Sequence, residues 1–176
     1  MPSYQGKLDS LCGPYAIVNA LEQCDVENAD SFFQIACSAL AAKRWPSVLW
    51  LGTNFYDLQK MIAKCLRHQD ICQRINAKYP FMKNTPKTNA EYWNRFDDLH
   101  TSNPNIRCAI IGMKKPNEHW VVAQKKASET RIIFSDSEPF EPTRRRNRAK
   151  LYAGHRRPDR NSLLFERAEL VLFEVL

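Results

Sequence analysis

Glycine is scarce, with 5 in 176 residues, and no segment repeats, so collagen-like and repeat architectures are excluded. The six cysteines, Cys12, Cys24, Cys37, Cys65, Cys72 and Cys108, form no C-x-x-C pair, and no Cys/His cluster has zinc-ligand spacing. No metal, cofactor or disulfide framework is therefore expected. The cysteines other than Cys12 are expected to be reduced, buried small hydrophobes. Long apolar runs are missing too. The longest uncharged stretches, such as Ser31–Ala42 and Ser47–Tyr56, fall short of the roughly 20 residues a membrane helix needs. The opening Met-Pro-Ser-Tyr-Gln has no basic cluster followed by an apolar run, so no secretory signal is read. The expected location is cytoplasmic, and export by a specialised secretion system or delivery into another cell would leave no mark in these residues.

What is present is an ordinary globular composition, 44% hydrophobic, 26% charged and 11% aromatic. The length suits one domain over residues 1–176, large enough to bury a core unaided. The net charge of +7 is local. Eight of the 26 Lys and Arg lie in Glu141–Arg160 against only two acidic residues, so that segment carries +6 and the rest of the chain +1.

A helix is expected over Cys12–Cys24, with Pro14 in its first turn, where a missing N–H costs nothing. A second is expected over Ser31–Lys43 and a third over Phe55–Arg67 after the break at Gly52-Thr53-Asn54. Ile71–Lys87 reads as loop with a short strand. Thr88-Asn89-Ala90-Glu91 is a capping box opening a helix to about His100. From there the period becomes 2. Ile106–Gly112, Glu118–Lys125 and Arg131–Ser135 are β-branched runs between polar turns, and Glu169–Leu176 closes the chain as a strand. The fold class is α+β, a helical N-terminal half and an antiparallel-sheet C-terminal half. The basic segment at 142–161 reads as a solvated loop.

One ordered set of residues carries chemistry. Cys12, followed by Gly13 and Pro14 at a helix start, feels the positive end of the helix dipole, which favours thiolate. Gly13 leaves room for a substrate, and free backbone N–H groups nearby can hold an oxyanion. Gln5, seven residues upstream, offers a second oxyanion donor. His119 opens the strand His-Trp-Val-Val, and Asp136 ends Arg-Ile-Ile-Phe-Ser-Asp, where it can orient the imidazole. Together they make a nucleophile, a base and an orienting carboxylate. Taken singly each has a plainer reading: Cys12 as a packed thiol, His119 and Asp136 as strand-edge polar residues, Gln5 as a surface amide.

The segment Gln5-Gly-Lys-Leu-Asp-Ser-Leu-Cys12-Gly-Pro-Tyr-Ala resembles the active-site opening of papain-like cysteine peptidases, most of all the bacteriocin-processing (double-glycine) peptidase branch. His119-Trp-Val-Val resembles that family's histidine strand, Asp136 its acidic third member, and Gly52-Thr53 with Asp57-Leu58 its middle region. The resemblance spans Gln5 to Asp136. Where the branch has Asp-Pro, this chain reads Asp136-Ser137-Glu138-Pro139, and the basic segment has no counterpart in it. No pro-segment and no transporter membrane domain are seen. The resemblance implies a papain-like fold and a bacterial thiol protease acting on a protein or peptide through Cys12, His119 and Asp136, with Gln5 in the oxyanion hole.

Two alternatives stand beside this reading, one on the same triad and one on the basic segment. Effector-type relatives deamidate glutamine or transfer an acyl group with the same triad. A non-catalytic module would instead bind nucleic acid or an acidic protein through Arg144–Arg160, although Tyr152 alone interleaves aromatic surface there. His68, His100 and His155 sit beside polar residues and read as solvated. Trp120, Trp45, Trp50 and Trp93 read as packing residues, with Trp45-Pro46 in a loop that could wall a cleft.

Overall fold

The computed structural model describes residues 10–124, 131–137, 143–155 and 159–176. The helices are α1 (Cys12–Gln23), α2 (Phe32–Cys37), α3 (Trp45–Leu51), α4 (Phe55–Cys65) and α5 (Asn89–Ser102). The strands are β1 (Ile75–Lys78), β2 (Ile106–Lys115), β3 (His119–Gln124), β4 (Arg131–Ser135), β5 (Thr143–Asn147), β6 (Leu151–Ala153) and β7 (Leu163–Val175). The fold is α+β, with strand order β1-β7-β2-β3-β4-β5. All neighbours in that order run antiparallel. β6 departs from the expectation by pairing with β7 in parallel.

Side chains pointing alternately to the two faces of the sheet divide the core in two. Cys108 and Ile110 of β2, with Trp120 and Val122 of β3, pack beneath α1, α2 and α4. Ala109 and Ile111, with Val121 and Ala123, pack on the other side with Tyr92, Trp93 and Phe96 of α5. Residues such as Ile17, Leu21 and Phe96 are fully enclosed. Each contributes about 1.5–3 kcal/mol.

Thr88 caps α5 by accepting from the Glu91 N–H at 3.1 Å, while the Glu91 carboxylate accepts from Lys87 N–H at 2.7 Å. The box therefore closes one residue outside the helix rather than on Thr88 itself.

Several expectations change. The helix expected over Ser31–Lys43 is only α2, and a tight turn at Ala42–Arg44 leads into α3. Trp45-Pro46 opens that helix, because proline tolerates the first turn. Trp50 is 77% exposed and packs on nothing that hides it. Cys72 is exposed, in the turn that precedes β1, and Cys37, the last residue of α2, is half-buried. His100 is buried, its Nδ1 2.9 Å from the Phe96 carbonyl one helical turn back.

The basic segment is structured as well. β5 extends the sheet, and Leu151 and Ala153 of β6 are buried. Arg148 reaches Asp97 at 2.5 Å and lies 5.2 Å over the Trp93 ring. The Trp93 indole N–H donates to the Leu151 carbonyl at 3.1 Å. Arg144, Arg145 and Arg146 pair through their backbone with Phe134, Ile133 and Ile132 of β4, which a count of charge alone conceals. Among the described residues no helix is long and apolar enough to cross a membrane.

Candidate active site

α1 begins at Cys12 without a side-chain cap and without an acidic residue in its first turn. Its positive end is therefore not neutralised from within the helix. Pro14 occupies the third position, and the first-turn N–H groups of Cys12 and Gly13 have no intrahelical acceptor by construction. The Cys12 thiol is buried, 3.9 Å from the Ser10 carbonyl.

Thr53 explains Gly13. A β-carbon at position 13 would stand 2.1 Å from Thr53 Oγ1 and 3.1 Å from its Cβ, so only glycine lets α1 and Thr53 meet. Thr53 is held from both sides. Gly52, at φ +78°, turns the chain in a conformation that side chains resist. Asn54 then caps α4, accepting from Asp57 N–H at 2.8 Å, and Arg44 braces Asp57 at 2.7 Å. The Thr53 carbonyl accepts from the Trp120 indole N–H at 2.9 Å, fastening β3 to the start of α1. Trp120 thus packs as expected and also positions the site.

β3 and β4 pair with Val122 opposite Ser135. Continuing that register puts Asp136 opposite Val121, on the same face as His119 and two residues along. The two side chains meet there, His119 Nε2 lying 2.5 Å from Asp136 Oδ1. Both are buried, at 8% and 4% side-chain exposure. Burial disfavours the charged imidazole, but its hydrogen bond to the Asp136 carboxylate and its interaction with Cys12 outweigh it and raise the His119 pKa to about 10. A carboxylate accepts only, so Nε2 carries the proton shared with Asp136 and Nδ1 remains for Cys12.

Cys12, His119 and Asp136 are therefore brought together, from a helix start, a strand start and a strand end. Gln5 lies outside the described residues. A cavity of about 180 Å³ opens beside the pair, lined among others by Thr53, Gly112, Glu118 and Glu169. None of these four is among the nucleophile, base, orienting or oxyanion residues expected from the sequence, where Thr53 enters only through the Gly52-Thr53 resemblance. Glu118 carried a signal, as a carboxylate directly before the histidine; Glu169 appeared only as the start of an apolar strand. Among the described residues no group of three His, Cys, Asp or Glu side chains is placed to hold a metal ion.

No family model matches the chain, and no curated protein matches it in sequence.

Proposed function

We propose that the protein is a cysteine-dependent hydrolase of papain-like architecture that cleaves a peptide or amide bond. The observation that carries the reading is His119 hydrogen-bonded to Asp136 and lining one cavity with Cys12, which helps to hold its imidazolium. A helix-borne thiol packed against a sheet that supplies the histidine and the carboxylate supports the papain-like assignment.

His119 Nδ1 takes the Cys12 proton, giving a thiolate–imidazolium pair. An imidazolium that persists to about pH 10 is a durable counter-ion for that thiolate. Sulfur attacks the carbonyl carbon and the carbonyl π pair moves to oxygen, which the Cys12 N–H receives at the positive end of α1. The resemblance adds the Gln5 amide as a second donor. Collapse breaks the C–N bond, and the leaving amine takes the imidazolium proton. Water, deprotonated by His119, then attacks the thioester and releases Cys12. Asp136 stays ionised throughout and fixes the ring through Nε2–H.

The test is Cys12→Ala, assayed against a peptide library with intact-mass readout. The variant should keep its far-UV spectrum and lose turnover; wild-type-like turnover would reject the reading. New fragments denote cleavage, a gain of about one dalton deamidation, and a gain of an acceptor's mass acyl transfer.

A further inference from the structure

The cavity beside Cys12 has an acidic wall, and the strand pairing shows how it arises. β2 and β7 are in register with Ile111 opposite Leu170, and again with Met113 opposite Phe165. Between those rungs β2 supplies one residue, Gly112, while β7 supplies four, Glu166 to Glu169. A bulge of that size bends its strand and redirects the side chains it carries. Here it lays Glu169 over Gly112. A β-carbon at 112 would stand 3.0 Å from Glu169 Cβ, 3.1 Å from the Trp120 ring and nearer still to the Glu169 carboxylate. Glycine at 112 is what admits Glu169 to the cavity.

The charges on this wall are not balanced internally. Among the described residues lining the cavity, the basic groups are Lys114, paired with Glu166, and His119, paired with Asp136. Glu118 and Glu169 have no hydrogen-bond or ion-pair partner among the described residues. Thr53 lines the cavity too, but its Oγ1 is enclosed against Gly13. Two unpaired carboxylates line one cavity with the proposed nucleophile. They are the complement of an occupant with a cationic group.

We infer that this cavity selects substrates bearing a lysine or arginine side chain next to the scissile bond, held by Glu118 and Glu169. This deepens the hydrolase reading and rests on it. An ammonium or guanidinium entering a half-enclosed site meets the partly buried Glu169 carboxylate, less screened than the exposed Glu118, and an acidic side chain is repelled. Burial first, then Glu166 and Glu118, opposed by Lys114, push the Glu169 carboxyl up to about 7. The groups facing it are Glu166 on its own strand, Lys114 of β2, Glu118 before β3, His119 across the cavity and Tyr92 of α5. Glu169 gains its charge as pH rises through about 7, so selection for cations strengthens from pH 6 to pH 8.

The test compares two acylated chloromethyl ketones, lysyl and norleucyl, which differ by the ammonium group. The Cys12 thiolate displaces chloride from either, forming a thioether that peptide mass mapping assigns. At pH 8 and low salt the lysyl probe should react about fivefold faster or more. That ratio should fall toward one in Glu169→Gln, at pH 6, and in Glu118→Lys, whose exposed position leaves folding intact. A wild-type ratio of one or less, or a ratio that both variants leave untouched, overturns the inference while sparing the hydrolase reading. If neither probe labels Cys12, or labelling ignores His119→Ala, both readings fall together.

Discussion

The Arg-rich stretch and the cleft wall are the two conspicuously charged regions of this chain, and they use charge in opposite ways. The stretch holds most of the net charge, yet much of it is built into structure. β5 pairs along β4, Arg148 joins Asp97 and covers Trp93, and Lys150 joins Asp159 at 3.0 Å. The cleft lies in the part of the chain that carries only +1, and its glutamates are inconspicuous in sequence. Glu118 and Glu169 nevertheless stand without an ion-pair partner among the described residues, beside a thiol and an imidazole. Density of charge along a chain marks a segment; charge left unmatched in a cavity marks a site.

Replacing Asp136 tests the cleft side of the contrast hardest. The folded His119 pKa of about 10 lies above its ordinary 6.5, so the imidazolium's partners stabilise the fold fully below pH 6.5. That contribution fades as pH rises toward 10. Asp136→Asn should therefore cost a few kcal/mol at pH 6 and progressively less by pH 9, measured by denaturant unfolding. A gap of the same size at both pH values would contradict the pairing. Gly13→Ala comes next. It forces a methyl group into Thr53, and overpacking of that kind costs about 1–3 kcal/mol. An unchanged midpoint would mean that Thr53 is not wedged against α1. On the basic side, Arg148→Ala should cost about 1–2 kcal/mol, since it removes both an ion pair and the cover on Trp93. Arg145→Ala, at an exposed strand position, should stay within about 0.5 kcal/mol. Equal losses at 145 and 148 would show that the stretch acts as undifferentiated charge.

Much of the site could be read locally. A cysteine before Gly-Pro marks a helix start, and a histidine opening a β-branched run marks a strand start; both signals are short-range. The helix caps at Thr88 and Asn54 are similarly local, although Asn54 reads in sequence only as part of the Gly52-Thr53-Asn54 break. The misses have a common cause in partners distant along the chain. Charge hid the buried–half-buried–buried alternation of Leu151, Tyr152 and Ala153, which only pairing with β7 makes a strand. α3 was masked by a proline that a first turn accommodates. Glu169 depends on a bulge opposite Gly112, a register that no local pattern in either strand discloses. His100 owes its burial to tertiary packing of α5 rather than to its polar neighbours.

The most direct test of the central claim is the rate of Cys12 alkylation by iodoacetamide between pH 5 and pH 9, assigned by mass spectrometry, in the wild type and in His119→Ala. If the imidazolium holds the thiolate, the wild-type rate stays high at pH 6 and drops about a hundredfold or more in the variant. Coincident pH profiles for the two proteins would contradict the pairing of Cys12 with His119 as nucleophile and base.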